Sequence, residues 1–146
     1  MTRAPIGRPT EILLVEDNLE DAGVTIQALK QGGIRCRVSL VRDGEEAMMF
    51  LRREGVFAQA PEPDVILLDM ELPKKDGREV LFEIRNDDRL QRIPVLVVTA
   101  SAVHRAVLQA EHLHIDGFMT KPVSLDQFIT AVKSVRRSRL AELVLA

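Results

Sequence analysis

Asp69 stands at the end of the apolar run Val65-Ile66-Leu67-Leu68, and two similar runs end in groups of related chemistry. Ile12-Leu13-Leu14-Val15 leads into Glu16-Asp17, and Val95-Leu96-Val97-Val98 leads into Thr99. A shorter apolar segment leads into Lys121-Pro122. Acids gathered in one place repel one another, and a hard cation is the natural way to hold them together. Oxygen ligands without histidine or cysteine suit Mg²⁺ or Mn²⁺ and argue against zinc. Lys121 adds a mobile point charge able to pair with Asp69 or a phosphoryl oxygen, and Thr99 adds a hydroxyl. The chain contains neither GxxxxGK[ST] nor GxGxxG, which disfavours nucleotide binding by those loops. What remains is phosphoryl transfer to a carboxylate, with the cation and Lys121 offsetting charge on the transferring group. The plain alternative is that each acid caps a following helix or turn, a reading that suits any one of them better than the set.

These groups need a scaffold that brings them together. Residues 12–15 read as a strand buried on both faces. A helical pattern begins at Asn18 or Leu19, carries Val24, Ile26, Ala28 and Leu29, and closes at Gly32-Gly33. In 35–41, Cys36, Val38 and Leu40 alternate with Arg35, Arg37 and Ser39, the mark of a half-exposed strand. Asp43-Gly44 turns into a helix with Ala47, Met48, Phe50 and Leu51 on its apolar side. Residues 55–63 read as a loop and 64–68 as the third strand. Asp76-Gly77 precedes a helix bearing Val80, Leu81 and Ile84, which stops near Asn86-Asp87-Asp88. A fourth strand starts after Pro94, 102–111 is helical, 117–120 is a short strand, and Ser124 caps a last helix. Strand and helix alternate, so the sheet is parallel, with right-handed crossovers and helices on both faces. Such a sheet places its ligand site outside the carboxyl ends of its strands, where Glu16, Asp17, Asp69 and Thr99 all fall.

Composition bounds the rest. The 146 residues fit one domain, 46% hydrophobic and 29% charged, ordinary for a soluble globular protein. A formal net charge of -2 argues against non-specific attraction to nucleic acid. No apolar stretch approaches the ~20 residues of a membrane span, and the first residues do not lead into a signal-peptide core. The single cysteine, Cys36, reads as a small half-buried hydrophobe and fits a reducing cytoplasm. His104, His112 and His114 read as surface or packing residues, and Arg136, Arg137 and Arg139 as a solvated helix face.

On ILLVEDN, VILLDMELPKKDG, IPVLVVTA and DGFMTKP, in this order and spacing, the chain resembles the receiver domain of two-component response regulators. The resemblance spans about residues 11–136 and implies a flavodoxin-like α/β sandwich of three layers, its five-stranded parallel sheet in the order 2-1-3-4-5. It implies that Asp69 is phosphorylated by a phosphohistidine on a sensor histidine kinase, the protein being a phosphoacceptor rather than an enzyme. It further implies Mg²⁺ (or Mn²⁺) bound directly by Asp17, Asp69 and the backbone carbonyl of Glu71, with Glu16 acting mainly through metal-bound water. Lys121 would contact the phosphoryl group, Thr99 would move to bond it, and the Phe118 ring would turn inward as Thr99 moves. Pro122 resembles the family's cis-linked proline. Glu71 stands where small polar residues are common, and its carboxylate is expected to affect phosphoryl lifetime; Met70 is expected to cover the rim of the site.

The loop 55–63, the stretch LPKKDGREVL and Asn86-Asp87-Asp88 resemble one branch in particular, the stand-alone regulators paired with bacterial or cyanobacterial phytochromes. The implied partner is then a light-sensing histidine kinase. Residues 1–10 read as a flexible leader and 137–146 as a helical extension with no output domain. Leu140, Leu143, Val144 and Leu145 continue the apolar spacing of Phe128, Ile129, Val132 and Val135, so the last helix is expected to support a homodimer. Output would pass through a changed surface or a downstream phosphotransfer protein, without direct contact to nucleic acid or membrane. Two rival classes remain: a small Mg²⁺-dependent phosphatase with an aspartyl nucleophile, of the haloacid-dehalogenase kind, and an interaction module independent of phosphorylation.

Overall fold

Short runs of Val, Ile and Leu bounded by charge form the strands, and alternate side chains of each strand serve opposite faces. The computed structural model describes residues 8–101, 103, 106–107, 113–135 and 140–145. β1 (Thr10–Val15), β2 (Cys36–Val41), β3 (Val65–Asp69), β4 (Val95–Thr99) and β5 (Gly117–Thr120) form one parallel sheet in the order β2-β1-β3-β4-β5. The doubly wound, flavodoxin-like order expected from the resemblance is the one observed. Helices α1 (Leu19–Gln31), α2 (Gly44–Arg52), α3 (Gly77–Arg85), α4 (Leu125–Ser134) and α5 (Leu140–Leu145) cover it. None of the described helices is long and apolar enough to cross a membrane.

The sheet is the middle layer of two cores. Leu13, Val15, Ile66, Leu68, Val95 and Val97 pack with Ala47, Phe50 and Leu51 of α2 and with Val80, Leu81 and Ile84 of α3. Ile12, Leu14, Val65, Leu67, Leu96 and Val98 pack on the other side with Ala22 and Leu29 of α1 and Phe128 and Val132 of α4. These strand residues are all at most 2% exposed, and each such side chain contributes roughly 1.5–3 kcal/mol by leaving water. Side-chain caps start α1 to α4. Asn18, Asp43, Asp76 and Ser124 accept hydrogen bonds from the backbone N–H groups of Asp21, Glu46, Glu79 and Gln127 respectively. Glu79 returns a bond to the Asp76 N–H, completing a capping box.

Several boundaries differ from the sequence reading. β1 begins at Thr10, inside the expected leader, because its N–H donates to the Arg35 carbonyl at 2.9 Å and the residue is buried. Arg8 pairs with Asp64 at 3.0 Å. Val24 is exposed; the inward face of α1 is Ala22, Thr25 and Leu29, spaced by one helical turn and then roughly another. The loop 55–63 contains a 3₁₀ turn, Gly55–Phe57. Between β4 and β5, Val103, Ala106 and Val107 are helical. The rest of the expected helix, with His104 and His112, lies outside the described residues, as do Arg136, Arg137 and Arg139. His114 is exposed and Cys36 half-buried.

The final helix is not continuous. α4 stops at Ser134, Val135 is extended (φ -78, ψ 116), and α5 begins at Leu140. Leu140 and Val144 turn back into the core shared by Phe128 and Val132, while Leu145 stays 42% exposed. Much of the apolar face that argued for a dimer is therefore covered by its own chain.

Candidate functional site

β1, β3 and β4 are neighbours in the sheet, so the groups at their carboxyl ends must meet. Glu16, Asp69 and Thr99 are buried there, and Asp17 is half-buried. One carboxylate oxygen from each of Glu16, Asp17 and Asp69 lies within 4.8 Å of the others. Asp69 Oδ1 accepts from the Glu71 backbone N–H at 3.0 Å, and Oδ2 accepts from Lys121 Nζ at 3.0 Å. Glu16 Oε2 accepts from the Asn18 N–H at 3.1 Å, and its Oε1 faces Lys121 Nζ at 2.7 Å. The ammonium also donates to Asp21 Oδ2 at 3.0 Å. The Lys121 ammonium thus lies within 3.0 Å of three carboxylates, donating to Asp21 and Asp69 and ion-paired with Glu16.

Local backbone geometry holds these atoms. Lys121 follows β5 directly, its N–H donates to the Thr99 carbonyl at 2.9 Å, and its bond to Pro122 is cis. On the other side, α3 starts hard against the end of β3. A Cβ at Gly77 would lie 2.4 Å from the Asp69 carbonyl oxygen and 2.6 Å from Met70 Cα, so only glycine fits. The Thr99 hydroxyl accepts from the Ser101 N–H at 3.2 Å. Phe118 is half-buried on β5, opposite Val97, against the core that α2 and α3 cover.

Electrostatics follow from crowding. Burial pushes the Glu16 carboxyl up to about 7, aided by the neighbouring Asp69 and opposed by Lys121 and the Asn18 N–H. Burial works against the charge on Lys121, but Glu16, Asp21 and Asp69 together hold it protonated above the ordinary lysine range. One ammonium among Glu16, Asp17, Asp21 and Asp69 leaves an excess of negative charge. A donor set made only of oxygens with this excess fits a hard divalent cation.

The structure brings Glu16, Asp17, Asp69 and Lys121 together as the strand-end argument requires. Glu71 is exposed, and its carboxylate lies outside the acid cluster while its N–H serves Asp69. Met70, expected at the rim, is instead buried in the core. Asp21 went unnoticed in the sequence. It reads there as an ordinary acid in the first turn of α1, with no local signal that sets it apart. The aspartyl-phosphatase alternative needs a second acid beside the nucleophile, and Glu71, two residues beyond Asp69, is exposed and not part of the acid cluster.

Known proteins agree with this geometry. Residues 12–133 match the family model described as response regulator receiver domain. The response regulator Rcp1 of Synechocystis sp. is 41% identical over 127 residues, covering 87% of this chain and 86% of Rcp1. Its Mn²⁺-bound crystal structure superposes with a TM-score of 0.72 at 43% identity, over 84% of this chain and 89% of that one. The bacteriophytochrome response regulator AtBRR gives a TM-score of 0.83 at 36% identity, over 88% and 93% of the two chains. The phosphorylated cyanobacterial phytochrome response regulator RcpA gives 0.73 at 44% identity, over 88% and 91%. A sheet order, an acid cluster suited to cation-assisted phosphoaspartate chemistry and a family match over most of the chain converge. The protein belongs to the response regulator receiver domains, which accept phosphoryl groups rather than act as conventional enzymes.

Proposed function

We propose that Asp69 takes a phosphoryl group from a phosphohistidine of a phytochrome-linked sensor histidine kinase, in the cytoplasm, as one step of a phosphorelay. The observation that carries this reading is the Asp69 carboxylate, buried yet bonded to both Lys121 Nζ and the Glu71 N–H at 3.0 Å. An Asp69 oxygen forms a bond to phosphorus as the phosphorus–nitrogen bond to the donor imidazole breaks, and the electron pair leaves on that nitrogen. Lys121 neutralises charge on the phosphoryl oxygens, and the Glu71 N–H orients the carboxylate. Asp17, Asp69 and the Glu71 carbonyl would hold Mg²⁺, or Mn²⁺, with Glu16 acting through water; when bound, the cation screens the negative charge of donor and acceptor. Thr99 gives up its bond to Ser101 to reach the phosphoryl group, and Phe118 follows inward.

The phytochrome link rests on the names of the relatives: AtBRR is a bacteriophytochrome response regulator and RcpA a cyanobacterial phytochrome response regulator. A homodimer through the C-terminal helix and its neighbours belongs to the same reading, supported now by exposed Leu145 rather than by Leu140 and Val144. Sedimentation of the chain before and after phosphorylation, with a Leu145→Lys control, tests it.

Incubation with acetyl phosphate and Mg²⁺ followed by intact-mass measurement tests the central claim. The native chain gains one phosphoryl group, Asp69→Asn gains none, and uptake by Asp69→Asn equal to the native chain would overturn the assignment. Transfer from a phosphorylated phytochrome kinase, compared with kinases bearing other sensors, tests the partner. Partner binding that persists without any labelling would instead favour a phosphorylation-independent module.

A further inference from the structure

Lys121 Nζ sits 3.0 Å from Asp21 Oδ2, a contact between residues 100 positions apart that crosses the mouth of the site. Glu16 and Asp69, the other two partners of the ammonium, both belong to the acid cluster that fits a cation; Asp21 does not. Its side chain is 42% exposed, at the rim rather than the floor. Its backbone is fixed, because its N–H donates to the Asn18 side chain at 3.0 Å in the first turn of α1.

Three carboxylates crowd the Lys121 ammonium within 3.0 Å, so contact with a phosphoryl oxygen requires one to be released. Glu16 and Asp69 are the acids whose charge a cation would engage. Asp21 is then the anion left to orient a long side chain that is otherwise free to sample many rotamers. We propose that Asp21 is a positioning residue for phosphoryl transfer, tethering Lys121 at the mouth of the site while Glu16 and Asp69 are drawn to other partners. This rests on Asp69 being the phosphoacceptor. A simple acid at a helix start would act only on the stability of α1, whereas a tether acts on the rate through Lys121.

Two measurements separate these roles. With the full chain in saturating Mg²⁺ and acetyl phosphate as donor, Asp21→Asn should slow phosphoryl uptake about two- to fivefold, the scale of a partly exposed ion pair. Asp21→Glu should restore most of the rate, and the Mg²⁺ concentration for half-maximal rate should move less than the rate does. The ¹⁵N-detected ammonium resonance of Lys121, protected by its three acceptors, should broaden or exchange faster in Asp21→Asn while remaining sharp in Asp21→Glu. A native rate and an unchanged ammonium signal in Asp21→Asn would overturn the proposal, as would a loss that Asp21→Glu fails to restore. If the native chain takes up no phosphoryl group, the assignment of Asp69 falls, and the ammonium signal still decides whether Asp21 holds Lys121.

Discussion

The two ends of the sheet each bury an ion pair, and they are built on opposite plans. At the amino ends of β4 and β5, Arg85 and Asp116 meet at 2.9 Å with side chains 12% and 3% exposed. Arg85 also donates to the carbonyls of His114, Gln91 and Ile93, and the Asp116 carboxylate accepts from the Val95 N–H and contacts the His114 ring. The planar guanidinium fits its fixed acceptors. At the carboxyl ends, one flexible ammonium faces several acids, and the excess charge is left standing. A rigid cation on fixed acceptors holds a fold together; unmatched charge on a mobile side chain leaves capacity for a ligand.

The sharpest way to break this contrast is to damage each end and measure both stability and phosphoryl uptake. Asp116→Ala removes the carboxylate from beside the buried Arg85 guanidinium and should cost about 3–5 kcal/mol in urea denaturation. Arg85→Lys should recover only part of Asp116's partnership, and the folded fraction of either variant should still take up a phosphoryl group. Lys121→Met should do the reverse. In saturating Mg²⁺ its unfolding midpoint should stay near that of the native chain, while uptake from acetyl phosphate falls about 10- to 100-fold. Equal damage to both properties at both ends would erase the distinction.

A subtler contrast is in pH. The Glu16 carboxyl is raised to about 7 in the folded chain, above its ordinary 4.5. The folded state therefore binds more protons than the unfolded one between these values, so this group makes stability fall as pH rises through that window. Urea midpoints in chelator should show that decline, and Mg²⁺ should reduce it by stabilising the ionised site. The smallest effect is expected at the rim: Glu71→Asn removes an exposed charge near Asp69 and should change phosphoryl lifetime about two- to fivefold, read from decay of the intact-mass shift. Equal lifetimes would remove Glu71's side chain from consideration.

Much of this arrangement is legible in the chain. Runs apolar at every position must be buried on both faces, and their common direction sends Glu16, Asp69 and Thr99 to one edge. Caps such as Asp76 with Glu79 mark helix starts locally, because their bonds span only three residues. What escaped depends on distant partners. Thr10 joins β1 because Arg35 supplies an acceptor, Met70 goes inward because α2 and α3 make a core around it, and Asp21 meets Lys121 only once the sheet is assembled. The apolar spacing through 125–145 suggested one helix, since periodicity does not reveal that Val135 turns extended and folds Leu140 back.

The tight junction at Gly77 has a consequence for anyone scanning this protein by mutation. Even alanine there must displace the Asp69 carbonyl or the Met70 backbone. A position with no side chain would then score like a member of the reaction centre, and a screen read by phenotype alone would assign chemistry to a residue whose whole contribution is to occupy no space.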